Sequence, residues 1–247
     1  MNHHAATSQA APWPDDIDLP VVGGSPLAVD VDAMIDDVAA RLDTDDRAVA
    51  ALVGWKSYAF SIAQRAMAAW TRYGVIPDVS VDNTVVSYTD TGLAVGVVHA
   101  RTVDPSDSLR VALAPLLDDH LPIIGERFRE GARVGARSFE AFAVSSLVAA
   151  AASAAPTAKR FDAVDELVGC LEPSRHAMVE IAELWTPDGE HLPMALRTAC
   201  CLIYKCGTGA YCSTCNLIDD TRRTEQLERA GYRWARRPRA VKVTTGP

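Results

Sequence analysis

Cys200 and Cys201 are adjacent, and ten residues later comes Cys212-Ser213-Thr214-Cys215, so one folded loop could carry four thiolates to a metal centre. Of the six cysteines in the chain, Cys206 lies inside this loop and only Cys170 stands upstream, so the thiols are concentrated rather than scattered. Neighbouring Cα atoms are about 3.8 Å apart, well short of the roughly 5.5 Å of a relaxed disulfide. The vicinal pair therefore points to metal ligation. Soft tetrathiolate sites serve zinc or an iron–sulfur cluster. Zinc ribbons usually draw ligands from two separated Cys-x2-4-Cys knuckles, whereas here one half of the site is a dipeptide. A two-iron cluster spreads its thiolates over two metals and accommodates neighbouring ligands more easily. Spacing favours the cluster and leaves zinc open, and it does not say whether Cys200 and Cys201 share an iron.

Residues around the thiols are candidates for tuning such a centre. Gly207 and Gly209 would let backbone amides approach the sulfurs, and Ser213, Thr214 and Asn216 could add side-chain donors, unless all five are ordinary loop residues. Cys206 reads as a free or packed thiol and Cys170 as a core residue. Tyr204, Lys205 and Tyr211 are substrate-contact candidates by proximity alone. No other chemistry is visible: the six histidines are scattered, and the chain has no His-Glu-x-x-His, Gly-x-Ser-x-Gly, phosphate-cradling glycine loop or dinucleotide fingerprint. His99 and His176 are read as structural, and Trp55, Tyr58, Trp70 and Tyr73 as a core stripe on one helix.

At 247 residues, 49% hydrophobic and 23% charged, the chain can bury a core without disulfides. Its first sixteen residues lack the basic and apolar segments of a secretory signal. The most apolar run, 142–155, is alanine-rich, broken by serines and shorter than the roughly 20 residues of a bilayer span. No membrane span is expected, and reduced thiols suit a cytoplasmic location. The net charge of −8 is uneven: residues 216–247 carry +4 and residues 1–215 carry −12. Arg222, Arg223, Arg229, Arg233, Arg236 and Arg237 are either a docking face for an acidic partner or a solvated helix face. Overall acidity argues against nucleic acid as a partner.

The elements that must position the cysteines read as a helix-rich α+β fold, with a small antiparallel sheet packed against several helices. Residues 1–27 are Pro/Gly-rich and expected to be disordered. Helical spacing predicts a helix ending near Leu42, capped by Asp30 or Asp32, and a second from after Thr44 to about Gly74. Thr84-Val85-Val86-Ser87-Tyr88-Thr89 and the run from Leu93 to Val98 predict a hairpin with Gly92 in its turn. Further helices are expected over 106–120 with Pro122 as the stop, 127–155 with Gly131 and Gly135 as weak points, 162–170, 174–185, 194–204 and 219–231. The helix over 194–204 would carry the first cysteine pair.

Arg197-Thr198-Ala199-Cys200-Cys201-Leu202-Ile203-Tyr204, followed by Gly209-Ala210-Tyr211-Cys212-Ser213-Thr214-Cys215, resembles the C-terminal signature of the FhuF-type ferric-siderophore reductases. Their Cys-Cys-x10-Cys-x2-Cys pattern holds a [2Fe-2S] cluster. The resemblance covers residues 197–217, with Cys206 as an extra thiol and Asn216 where members of the family often carry proline. It implies that Cys200, Cys201, Cys212 and Cys215 bind the cluster as the redox centre of a cytoplasmic enzyme. That enzyme would pass one electron to iron(III) in a siderophore, typically a hydroxamate, and release iron(II). Residues 28–190 would form the helix-rich α+β reductase domain and 191–237 the C-terminal cluster-binding segment, a cysteine-rich loop followed by a short helix, with 238–247 as a flexible tail. Lacking a nucleotide motif, the protein would take its electron from a donor protein such as a ferredoxin or from a small reductant. The alternatives are a non-enzymatic structural zinc module and a [2Fe-2S] sensor controlling a partner.

Overall fold

The computed structural model of the chain describes residues 19–22, 30–89, 92–103, 108–130, 132–207 and 209–237. Helix α1, Val31–Leu42, is capped by Asp30, whose carboxylate accepts the Ala33 amide at 2.9 Å. Helix α2, Arg47–Tyr73, is capped by Asp46 and ends where Gly74 turns left-handed at φ 70°. Strands β1, Ile76–Pro77, and β4, Thr102–Val103, form a short ladder around the hairpin of β2, Thr84–Thr89, and β3, Gly92–Val97. Gly92 is not a turn residue: it opens β3 opposite Thr89, and the turn itself, Asp90 and Thr91, lies outside the described residues. Within the segment 1–27, Leu19 to Val22 lie against β3, with Leu19 buried and Val97 bonded to both Pro20 and Val22; the rest lies outside the described residues. Gly96 makes this approach feasible, since a Cβ there would sit 2.9 Å from the Pro20 carbonyl.

Helix α3, Leu109–Ala112, a π-helical turn, Pro115–His120, and α4, Leu121–Glu130, follow as one bent helical run. Pro122 does not end it. The Leu121 amide bonds back to Leu116, and the missing amide of Pro122 falls where this five-residue spacing gives way to the α-helical one. The expected helix over 127–155 is two helices: α4 stops at Glu130, and Gly135 precedes α5, Ala136–Ala154; Gly131 lies outside the described residues. Helix α5 is apolar nearly all round because it packs against both α2 and α6, Arg160–Cys170, and among the described residues no helix is long and apolar enough to cross a membrane. Trp55 and Tyr58 of the expected stripe are fully buried, whereas Trp70 and Tyr73 are only half-buried.

A buried histidine in this core escaped sequence reading. His120 Nε2 lies 2.8 Å from the Tyr58 hydroxyl, while Nδ1 faces the Val79 and Ser80 backbone without a well-formed bond. Burial lowers its pKa from 6.5 to about 4. The unfolded chain takes up a proton here below about pH 6.5 and the folded chain only near pH 4, so stability is lost as the pH drops through that window, by up to about 3 kcal/mol. Urea titrations at pH 7.5 and pH 5 should show His120→Asn losing less stability between the two than the wild type; an equal loss would contradict the assignment.

Two expected helices are strands. After the single turn α7, Pro173–His176, comes β5, Val179–Trp185, the central strand of an antiparallel sheet between β6, His191–Arg197, and β7, Arg233–Arg236. One face of this sheet, with Ile181 and Ala195, packs on the main core. The other, with Ala182, Leu184, Met194 and Leu196, is covered by Leu227 of α8, Asp220–Arg229. Apolar residues on both faces erase the alternation that marks a half-buried strand, and the run then reads as helix. Pro193 is tolerated because β6 is an edge strand. The first cysteine pair thus follows a strand. Helix α8 lies where expected, capped by Asp219, and Gly231 at φ 81° turns the chain into β7.

Candidate metal centre

Arg197 ends β6, and Thr198 anchors the next turn by donating both its amide and its hydroxyl to the Met178 carbonyl. Cys201 is then buried against the main core. Leu202 adopts φ 60°, a left-handed conformation costing a non-glycine residue about 1 kcal/mol or more. That kink aims its amide at Cys200 Sγ, 3.3 Å away, and the Ile203 amide bonds Cys201 in the same way. The second pair closes a tight turn, with the Cys215 amide bonded to the Cys212 carbonyl at 3.0 Å and the Leu217 amide 3.4 Å from Cys215 Sγ. Three of the four sulfurs therefore accept a backbone amide from two residues downstream.

Cys212 is served differently. The Arg197 guanidinium donates to its sulfur at 3.0 Å, and the Thr214 hydroxyl approaches at 3.9 Å. Arg197 is only 5% exposed and also lies 4.7 Å from the Phe142 ring centre. Cys201 lies close enough to Cys212 for the two thiols to share a proton; that interaction, with Arg197 and Thr214, pulls the Cys212 thiol down, and together with burial it pushes Cys201 upward. Cys215, chiefly through burial, is raised to about 11.

The four sulfurs thus lie in two pairs, Cys200 beside Cys215 at 3.8 Å and Cys201 beside Cys212 within hydrogen-bonding reach. Two thiolates on one tetrahedral centre, with metal–sulfur bonds of about 2.3 Å, are about 3.8 Å apart. The Cys200–Cys215 spacing suits two ligands of one metal. Among the described residues, no three of His, Cys, Asp and Glu converge tightly enough to enclose a single ion. No family model matches this chain, and no curated protein or solved structure resembles it at a significant level. The family likeness therefore rests on the cysteine signature alone.

The loop is held from outside by α8. Arg223, 3% exposed, donates to the carbonyls of Ser213, Cys215 and Ile218, and Gln226 donates to the Tyr211 carbonyl at 3.0 Å. Arg223 is thus a brace rather than a docking charge, a role that its place in a basic stretch concealed. Arg236 pairs with Glu180 and Asp220, Arg237 with Asp165, and Arg229 with Glu225. Arg222 lies over the Tyr211 ring and Arg233 over Trp185. These arginines mostly close internal contacts.

Other expectations at the loop need correcting. Neither Gly207 nor Gly209 donates to a sulfur among the described contacts; the Gly209 amide bonds the Cys206 carbonyl at 2.9 Å. Asn216 ties the loop to the Thr198 carbonyl at 3.0 Å, leaving Thr214 as the side-chain donor among the three proposed. Tyr204 stacks on Tyr211 with centroids 4.9 Å apart, and Lys205 pairs with Asp46 at 3.0 Å, so all three substrate-contact candidates take part in holding the loop. Cys206 is half-buried and joins neither thiol pair, and Cys170 is a half-buried core thiol raised to about 11 by burial.

Proposed function

We propose that the chain is a [2Fe-2S] oxidoreductase that delivers one electron to iron(III) held by an oxygen-donor chelate of the siderophore type, releasing iron(II) in the reducing cytoplasm. The observation that carries this reading is the gathering of the four thiols in one loop, with Cys200 and Cys215 facing one another, Cys201 near Cys212, and hydrogen-bond donors aimed at Cys200, Cys212 and Cys215. Cys200 and Cys215 would bind one iron, Cys201 and Cys212 the other. When bound, the cluster supplies reversible one-electron storage, which no side chain of this protein offers. The protein's own part is to hold and tune. Amides of Leu202, Ile203 and Leu217, with the Arg197 guanidinium, direct partial or full positive charge at the sulfurs, which favours the more negative, reduced state. No acid or base is needed, since iron(III) gains one electron and its hard oxygen ligands then grip iron(II) less tightly.

The electron would come from a redox protein such as a ferredoxin, the chain having no nucleotide-binding motif. Anaerobic assays with a ferric trishydroxamate, reduced ferredoxin and a ferrous trap test the reading. Many iron(II) per chain are expected; a single stoichiometric electron would favour a sensor, and none at all a structural centre.

A further inference from the structure

Beside the thiols, between α2, α5 and β6, runs an open cleft of about 550 Å³. Arg197 and Thr214 are in its wall, and these are the two side chains that donate to Cys212 Sγ. The Nε of Arg197 is buried and has no hydrogen-bond partner among the described residues. Because that atom is closed to solvent, an occupant of the cleft would feel the charge of the guanidinium rather than bond this N–H. The charge of the wall points the same way: Lys56, Arg160 and Arg197 face one carboxylate, Glu190, which Arg160 approaches at 3.7 Å. The volume falls within the range of small-molecule sites, about 300–1,000 Å³.

We propose that this cleft is the binding site for the ferric chelate, selecting oxygen-rich chelates of neutral or negative charge and placing them against Arg197 and Thr214. The site rests on the reductase reading for its occupant, but its existence can be tested without turnover. Gallium(III) complexes of linear trishydroxamates match the ferric ones in charge and size and accept no electron under these conditions. They can be titrated calorimetrically into anaerobically purified protein.

Two variants address the cleft. Ala149, half-buried on α5, faces it, and Ala149→Trp would fill it; Lys56→Glu reverses the charge of an exposed rim residue. Ala149→Trp is expected to weaken gallium-chelate binding by at least about tenfold, a change of about 1.4 kcal/mol, with iron, sulfide and the visible spectrum unchanged. Wild-type protein should prefer an anionic over a cationic chelate of equal size, and Lys56→Glu should remove that preference. Unaltered affinity in Ala149→Trp, or a wild-type preference for the cation, overturns the site. Binding that responds to both variants without wild-type turnover keeps the site and removes the reductase reading. Turnover and affinity indifferent to both variants do the reverse.

Discussion

Serine in place of Cys201 or Cys212 is expected to give a folded, colourless protein that has lost iron and sulfide together, with turnover down more than about a hundredfold. Losing groups that merely orient a metal's ligands already costs about 10–100-fold, and losing a ligand should cost more. Cys206→Ser is the control, since Cys206 joins neither thiol pair and should keep both colour and activity. Cys200→Ser and Cys215→Ser should behave like one another, because the two share a pair. Visible spectra with iron and sulfide assays on anaerobically prepared protein check the series; a Cys206 variant as colourless as Cys201→Ser would reassign the ligands.

Arg197→Met is expected to leave a cluster in place but at a lower midpoint potential. The guanidinium bonds Cys212 Sγ at 3.0 Å from a site largely shielded from water. Removing that positive charge disfavours the extra electron more than it disfavours the oxidised state. A charge-assisted hydrogen bond is worth about 1.5–3 kcal/mol, so the part of it that differs between the two states can lower a one-electron potential by up to about 60–130 mV. Arg197→Lys should recover part of the shift, having the charge without the planar fork. A redox titration followed by electron paramagnetic resonance reads both variants. An unmoved potential would mean that Arg197 serves packing against Phe142 alone.

What could be read from sequence follows from how local the deciding physics is. Helices α1, α2, α6 and α8 and the hairpin are written in contiguous residues, such as Asp30 and Asp46 at caps, Gly74 at a terminus and the β-branched run beginning at Thr84. The sheet of β5, β6 and β7 was hidden because its strands bury both faces, so Met194 and Leu196 look like helix core. The metal centre divides along the same line. Its four thiols are legible from spacing, whereas their donors come from a left-handed Leu202 and from Arg197, a charge that composition alone would place in solvent. Arg223 was misread for the opposite reason: it sits in a basic stretch, and only the packing of α8 over the loop turns it into a brace for three carbonyls. Tyr204 and Tyr211 are distant enough in sequence that nothing local foretells their stacking.

The most direct test is elemental and spectroscopic analysis of protein isolated without air. Two irons and two acid-labile sulfides per chain are expected, with a visible absorption that bleaches on one-electron reduction. One zinc per chain, without sulfide and without colour, would contradict the diiron centre and the reductase built on it.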